Sequence, residues 1–199
     1  MFSVLDMFTI GVGPSSSHTV GPMCAAQAFA SSLEESGAVS RVGRIRVVLY
    51  GSLSLTGLGH GTDRAILAGL EGNVPATVDT DYLLSVRERC AHDGTIHVNG
   101  TNAIAYDDDG DMVFDRWKRL APHPNGMRFQ AFDAQGNIID EQVWYSIGGG
   151  FIRRGRIDDA LISNHEQRRR RRSRRRTPGT TRLPNTATAC HIPSYHATA

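Results

Sequence analysis

The composition breaks once, just after Gly148-Gly149-Gly150-Phe151-Ile152, and that break limits which part of the chain can build a core. Residues 1–152 carry 10 lysines and arginines against 17 aspartates and glutamates, a net −7. Residues 153–199 carry 12 arginines, no lysine and 3 acids, a net +9. Eight of those arginines crowd into the nine positions 168–176, and a Thr-, Pro-, Ala- and His-rich end follows. Like charges at that density keep a chain extended, and too few apolar residues remain to offset the entropy of ordering it. Disorder is therefore expected from about Gly155 onward, with one folded unit over 1–152. A unit of that length buries a proper hydrophobic core.

Within it, the stretch Gly13-Pro14-Ser15-Ser16-Ser17-His18-Thr19-Val20-Gly21-Pro22-Met23 organises its surroundings. Pro14 presets φ and Gly13 permits unusual backbone angles, which places Ser15 to Ser17 in a loop. From Val20 the residues Ala25, Ala26, Ala28, Phe29 and Leu33 recur at helical spacing until Gly37. Four hydroxyls and an imidazole in five positions thus meet free N–H groups at a helix start, where a small carboxylate or phosphate is favoured. A helix cap needs one hydroxyl only, and this stretch reads as an anion-holding loop. It is not a P-loop, since no phosphate-binding lysine is present.

Arg44–Tyr50 alternates and then turns apolar, as a strand entering a core does. It runs into a second loop rich in glycine and hydroxyls, Gly51–Asp63, where Thr62 or Asp63 is placed to cap a helix over Arg64–Leu70. His60 sits between two glycines, which give a ligand close access to its imidazole; a plain turn histidine is the alternative. If the two loops converge, His18 and His60 can supply a general base and an orienting donor. Asp63 can orient His60, although capping is its simpler duty.

A helix is expected over Tyr82–Ala91 and a strand over Thr95–Asn99. Tyr106–Asp111 has the look of a calcium loop but lacks the spaced ligands and closing glutamate, and reads as a solvated acidic turn. Met127–Phe132 and Ile138–Ser146 form a hairpin closed at Asp133–Asn137, with Asn125-Gly126 marking another turn. Ser146–Phe151 is expected to be a flexible third loop or exit hinge, and His123, between two prolines, to be exposed. Cys24, Cys90 and Cys190 are odd in number and outside Cys-x-x-Cys pairs, indicating neither a disulfide framework nor a zinc site. Cys24 reads as a buried thiol. No 18-residue apolar run exists, so no membrane span is expected, and Met1–Phe8 lacks a signal-peptide design; the chain reads as cytoplasmic. The fold expected is α+β, an antiparallel or mixed sheet packed against helices.

Five blocks resemble the amino-terminal β domain of the bacterial iron–sulfur L-serine dehydratases (L-serine ammonia-lyases). They are the eleven residues 13–23, Tyr-Gly-Ser-Leu-Ser-Leu-Thr-Gly at 50–57, Gly-His-Gly-Thr-Asp at 59–63, Asn-Gly-Met at 125–127 and Tyr-Ser-Ile-Gly-Gly-Gly-Phe-Ile at 145–152. The resemblance covers essentially all of 1–152 and implies conversion of L-serine to pyruvate and ammonia without pyridoxal phosphate. It implies a [4Fe–4S] cluster acting as Lewis acid on the substrate hydroxyl while a base removes the α-proton. On the matched positions it implies that Ser15, Ser16, Ser17 and Thr19, with Thr62 and Asp63, bind substrate, and that His18 and His60 stand nearest the chemistry, His60 as base. The family carries its cluster cysteines in a helical α domain or subunit that nothing here resembles. The expected partner is therefore a cluster-bearing α domain or subunit, with homo-oligomerisation of the intact enzyme, and this chain alone is expected to be inactive because a cluster needs its thiolates.

Where the family continues into a linker, residues 153–199 give the arginine run. Clustered arginines bind phosphates, but aromatic content is low and no recognition fold accompanies them, which argues against nucleic acid. An out-of-frame translation beginning near residues 152–156 accounts for the abrupt shift, the missing lysines and the loss of resemblance at one point. The competing function class is a non-catalytic module that binds a small amino or hydroxy acid, with the basic tail contacting nucleic acid.

Overall fold

The computed structural model describes residues 12–163. The arginine run, Cys190 and the segment before Val12 lie outside the described residues, as does all of the out-of-frame reading after Ser163.

The chain enters through a π-helical turn, Ser16–Val20, that runs without a break into α1, Gly21–Glu35. The turn is defined by the Val20 N–H reaching back five residues to the Ser15 carbonyl at 3.4 Å, and by Gly21 doing the same to Ser16. The loop expected for Ser15–Ser17 is corrected here: Ser15 is the extended cap residue, its Oγ accepting the His18 N–H at 3.2 Å, and Ser16 and Ser17 are already helical. A cap uses a single hydroxyl, so those of Ser16 and Ser17 are left over for other contacts.

After α1 come β1 (Arg44–Gly51), α2 (Ser52–Thr56), a 3₁₀ turn (Leu58–His60), α3 (Thr62–Leu70) and α4 (Thr80–Asp93). The second loop of the sequence reading is thus mostly short helix. Gly51 makes this possible: its φ is 59°, and a Cβ there would lie 2.3 Å from the Pro124 carbonyl oxygen. Only glycine allows the strand to turn into α2 at that point. The chain then runs through β2 (Thr95–Val98), β3 (Asn102–Ala105), α5 (Asp108–Asp111), β4 (Met112–Asp115), β5 (Lys118–Leu120), β6 (Asn125–Phe132), β7 (Ile138–Gly148), β8 (Phe151–Arg154) and β9 (Leu161–Ser163).

The main sheet is mixed, in the order β2-β3-β1-β6-β7-β8. β3 meets β1 in parallel at Arg44↔Ala105, and β4 takes over the same edge from Val47↔Met112 to Tyr50↔Asp115. The acidic segment is the break between them. It is not a solvated turn: Asp111 is buried and bonds Arg44, and Asp108 bonds Arg87 at 2.8 Å. The hairpin of β6 and β7 is as expected, with Asp133 accepting the Asn137 N–H at 2.8 Å in its turn. The glycine triplet after it is a tight turn, φ 99°, 61° and 80°, that returns the chain as β8 rather than a free hinge. The boundary expected at Ile152 falls inside β8. Pairing continues beyond it, β9 lying against β5 from Lys118↔Ser163 to Leu120↔Leu161, so the disorder expected from Gly155 does not hold over 161–163.

One face of the sheet carries the main core, where Phe29 and Leu33 of α1 and Ile66, Leu67 and Leu70 of α3 meet Val47, Leu49, Met127 and Phe129. Phe29 stacks on Phe129 at 5.2 Å. The opposite face carries a smaller cluster in which Leu120 of β5 covers Val48, Tyr50, Val143 and Tyr145. Small residues set the approach of α1 to its neighbours. A Cβ on Gly69 of α3 would stand 2.3 Å from the Met23 carbonyl oxygen, and one on Gly21 would stand 2.1 Å from Ser146 Oγ of β7. This close packing brings the starts of α1 and α3 side by side.

Gly69→Ala should therefore cost about 1–3 kcal/mol by overpacking, read as a lower urea midpoint at unchanged slope. Gly59→Ala, whose added methyl meets nothing within 4 Å, should stay within about 0.5 kcal/mol. Equal effects at the two positions would contradict the packing described.

Candidate active site

His18 leaves the π-helical turn and His60 leaves the 3₁₀ turn before α3, and their ring centroids are 5.0 Å apart. The convergence of two motifs from different elements is thus observed. What holds it is a reciprocal pair of hydrogen bonds donated by two buried threonines. Thr19 Oγ1 donates to the His60 carbonyl at 2.8 Å, and Thr62 Oγ1 donates to the His18 carbonyl at 2.5 Å. Thr19 is 1 % exposed and Thr62 0 % exposed. The sequence groups both threonines with the ligand-binding hydroxyls; the structure places them behind the histidines, each anchoring the other motif's backbone.

His18 is held at both ring nitrogens. Ser17 Oγ lies 2.9 Å from Nδ1 and Ser52 Oγ lies 3.0 Å from Nε2. Ser15 Oγ extends the chain to Ser17 Oγ at 3.4 Å. A neutral imidazole donates from one nitrogen and accepts at the other, so one serine gives a proton to this ring and the other receives one. Burial, and then the neighbouring His60 ring, push His18 below the ordinary histidine value. The ring is neutral at pH 7. Ser16 is the exposed member of the three serines.

His60 differs. Its Nδ1 lies 2.9 Å from the Thr56 carbonyl oxygen, which only accepts, so Nδ1 carries the proton. The neutral ring then has its lone pair on Nε2. This is the tautomer a proton acceptor needs, fixed by a backbone group on the turn that precedes the ring.

Asp63 neither caps α3 nor orients His60. The cap position belongs to Gly61, in the left-handed conformation with φ 66° and no side-chain bond. Asp63 is buried and pairs with Arg87 of α4, which also holds Asp108 at 2.8 Å; Tyr106 donates its hydroxyl to the same Asp108 at 2.7 Å. The two carboxylates raise Arg87 further above its usual range, and the Arg87 guanidinium lowers Asp108. The ionic cluster ties the start of α3 to α4 and α5.

Four residues were missed in the sequence. Ser52 lies inside a quoted block, but its contact with His18 depends on the sharp turn at Gly51. Asn125 donates its side-chain amide to the Ser146 carbonyl at 3.2 Å, joining two of the blocks, while the Ser146 hydroxyl is buried without a partner. His123 is half-buried rather than exposed, its Nδ1 accepting the Asn125 N–H at 3.1 Å. Arg64, on α3, lines a cavity of about 170 Å³ beside His60 together with Thr19, Leu58, Leu83 and Leu84. Neither His18 nor Ser15–Ser17 lines that cavity. Among the described residues no group of three or more His, Cys, Asp or Glu side chains is arranged to hold a metal ion. Cys24 and Cys90 are buried on separate helices, α1 and α4, and the described residues do not fit an iron–sulfur cluster. No described helix is long and apolar enough to cross a membrane.

The family model described as serine dehydratase beta chain matches residues 3–156. The L-serine dehydratase of Streptomyces coelicolor is 49% identical over 150 residues, 75% of this chain and 33% of its own length. L-serine dehydratase 1 of Escherichia coli is 45% identical over 156 residues, 76% of this chain and 33% of its own length. The L-serine dehydratase of Haemophilus influenzae is 40% identical over 168 residues, 84% of this chain and 36% of its own length. The chain spans about a third of the length of these relatives.

In an NMR titration of the histidine rings, His18 should titrate below about 6.5. Because its folded value lies under the unfolded one, the unfolded chain binds more protons near that pH. The stability it contributes is full above about pH 6.5 and is lost as pH falls toward the folded value. The ¹⁵N shifts of His60 should report protonated Nδ1 and bare Nε2 at pH 7.5. A His18 that titrates at or above 6.5, or the opposite His60 tautomer, would contradict the hydrogen bonding described.

Proposed function

Since the chain belongs to the serine dehydratase beta chain family, we propose that it supplies the proton-accepting half of an L-serine dehydratase active site. The observation that carries this reading is the Thr56 carbonyl on His60 Nδ1, which leaves Nε2 bare and ready to take a proton. In this reading the α-proton of L-serine passes to His60 Nε2, the C–H electron pair forms the Cα–Cβ double bond, and the Cβ–O bond breaks with its pair on oxygen, the departing hydroxide taking up a proton to leave as water. The product enamine then tautomerises and hydrolyses to pyruvate and ammonia. His18 stays neutral in its serine cradle, so the adjacent imidazolium forms without a second positive ring beside it. Ser16, exposed at the turn, is the hydroxyl best placed to meet substrate among the three serines. No step is assigned to an iron–sulfur cluster, whose ligands the described residues do not offer.

A partner is part of the proposal. Leu55, Leu58 and Leu84 are 59 %, 48 % and 54 % exposed, and the latter two border the cavity at His60. Large apolar side chains in water beside a polar cluster mark a surface that another body covers. The relatives' remaining two thirds, as a cluster-bearing α domain or subunit, is the proposed cover.

The test is anaerobic mixing of the full chain with the complementary portion of the Escherichia coli relative, followed by a pyruvate assay with L-serine. Turnover is expected, and His60→Ala should lower it about 10²–10⁴-fold, the range for loss of a general base, with the histidine NMR signals of His18 still folded-like. Turnover undiminished in His60→Ala would move the base elsewhere. Complex formation and L-serine binding with no turnover would replace the enzyme reading by the non-catalytic binding module.

A further inference from the structure

We propose that the cavity beside His60 is a site for a small carboxylate, held by the guanidinium of Arg64. The inference rests on the function proposed above in one respect only, the identity of the acids offered to it. Arg64 is half-buried and makes no hydrogen bond or ion pair with any described residue. Arg87, Arg89 and Arg128 each have a carboxylate partner; Arg46 and Arg119 share the lack of one, their buried Nε atoms being unpartnered, but neither lines this cavity. A half-buried arginine that lines a cavity and has no carboxylate partner is free to take an anion there as its counter-charge.

The carboxylates nearest along its own helix do not do so. Arg64 also borders the cleft that contains Asp63 and Asp108, but both of those are engaged by Arg87. On its other side it faces the cavity of about 170 Å³ with His60, Thr19 and the Gly59–Gly61 turn. That volume lies under the about 300–1,000 Å³ of pockets that take drug-sized ligands. The part of an occupant held inside it is a few non-hydrogen atoms, as a small carboxylate supplies. Leu58, Leu83 and Leu84 supply an apolar wall, which suits the carbon skeleton of an organic acid better than a fully hydrated inorganic anion. A carboxylate matches the guanidinium fork through two parallel hydrogen bonds. An acid so held directs its remaining atoms to the His60 ring. Ser15 and Ser17 of the triplet then cap the helix and seat His18, and the carboxylate is bound one motif further along, at a residue immediately after Gly-His-Gly-Thr-Asp, leaving Ser16 to the rest of the substrate.

The experiment uses the full 199-residue chain. L-serine, pyruvate and serinol, which keeps the amine and hydroxyl of serine but lacks its carboxylate, are titrated separately against the ¹³C–¹H signals of His60 and the Nε–H signal of Arg64. At least one of the two acids should shift both signals, and serinol neither. Arg64→Gln should weaken that binding roughly ten- to a hundredfold, the loss expected for a charge-assisted pair, and Arg64→Lys should recover part of it. Binding of L-serine identifies the occupant as substrate; binding of pyruvate alone identifies it as product or effector, and either supports the site. Unchanged affinity in Arg64→Gln, equal binding of serinol, or no binding of either acid would overturn it. If Ser16→Ala weakens L-serine and Arg64→Gln does not, the carboxylate belongs to the serines and this inference fails while the proposed function stands. The proposed function fails separately, through the reconstituted pyruvate assay.

Discussion

Two hydroxyl–carbonyl bonds hold the centre of this molecule together. Thr19 reaches the backbone of His60, and Thr62 reaches the backbone of His18. Each is a neutral hydrogen bond of modest net worth, about 1 kcal/mol in a typical case. Their weight comes from burial and reciprocity. Both threonines are out of water, so breaking either bond leaves an orphaned hydroxyl donor in the interior. Because each bond ends on the other motif's histidine, neither ring can shift without pulling on both. The 5.0 Å spacing of the rings is thus set by backbone groups, not by the imidazoles themselves.

That arrangement depends in turn on how near α1 and α3 come. The glycines at 69 and 21 remove the methyl groups that would push α3 from α1 and α1 from β7. The neighbouring alanines, Ala25, Ala26, Ala65 and Ala68, are all fully buried at the helix contacts. The ionic cluster of Asp63, Arg87 and Asp108 fixes α3 from the opposite side, against α4. A site made from two helix starts is therefore rigid in the sense required for pre-organised chemistry, since its side chains are positioned by packing and second bonds before any ligand arrives.

Much of this could be read in the sequence. The helix after Val20, the strand at Arg44, and the hairpin at 127–146 follow from apolar periodicity and turn residues, which are local signals. The meeting of His18 and His60 was legible as two loops of one style. What the sequence could not show is direction. A threonine hydroxyl beside a histidine looks ligand-facing on paper, yet those of Thr19 and Thr62 each donate to a backbone carbonyl of the other motif. The short elements were also hidden. α2, α5, β5 and β9 span 5, 4, 3 and 3 residues, too few for any period to emerge. Asp111 passed for a solvated acid because its partner, Arg44, stands 67 positions away.

The same limit explains why the two histidines, alike in sequence, are unlike in chemistry. His18 is followed and preceded by hydroxyls, and the two that meet its ring, from Ser17 and Ser52, donate or accept as needed, so its tautomer is free to follow them. His60 faces a carbonyl from the preceding helical turn, which accepts only. One ring is adaptable and the other is committed. Four residues of separation, Thr56 to His60, produce that difference. They do so because Gly57, packed against the Leu53 carbonyl, and Gly61, with φ 66°, let the chain coil tightly enough to fold the ring back on its own backbone. A methyl at Gly57 would meet the Leu53 carbonyl oxygen at 2.2 Å and close that path. Gly57 is therefore part of the means by which the backbone selects which nitrogen of His60 is bare, while Gly59 and Gly61 line the cavity beside the ring.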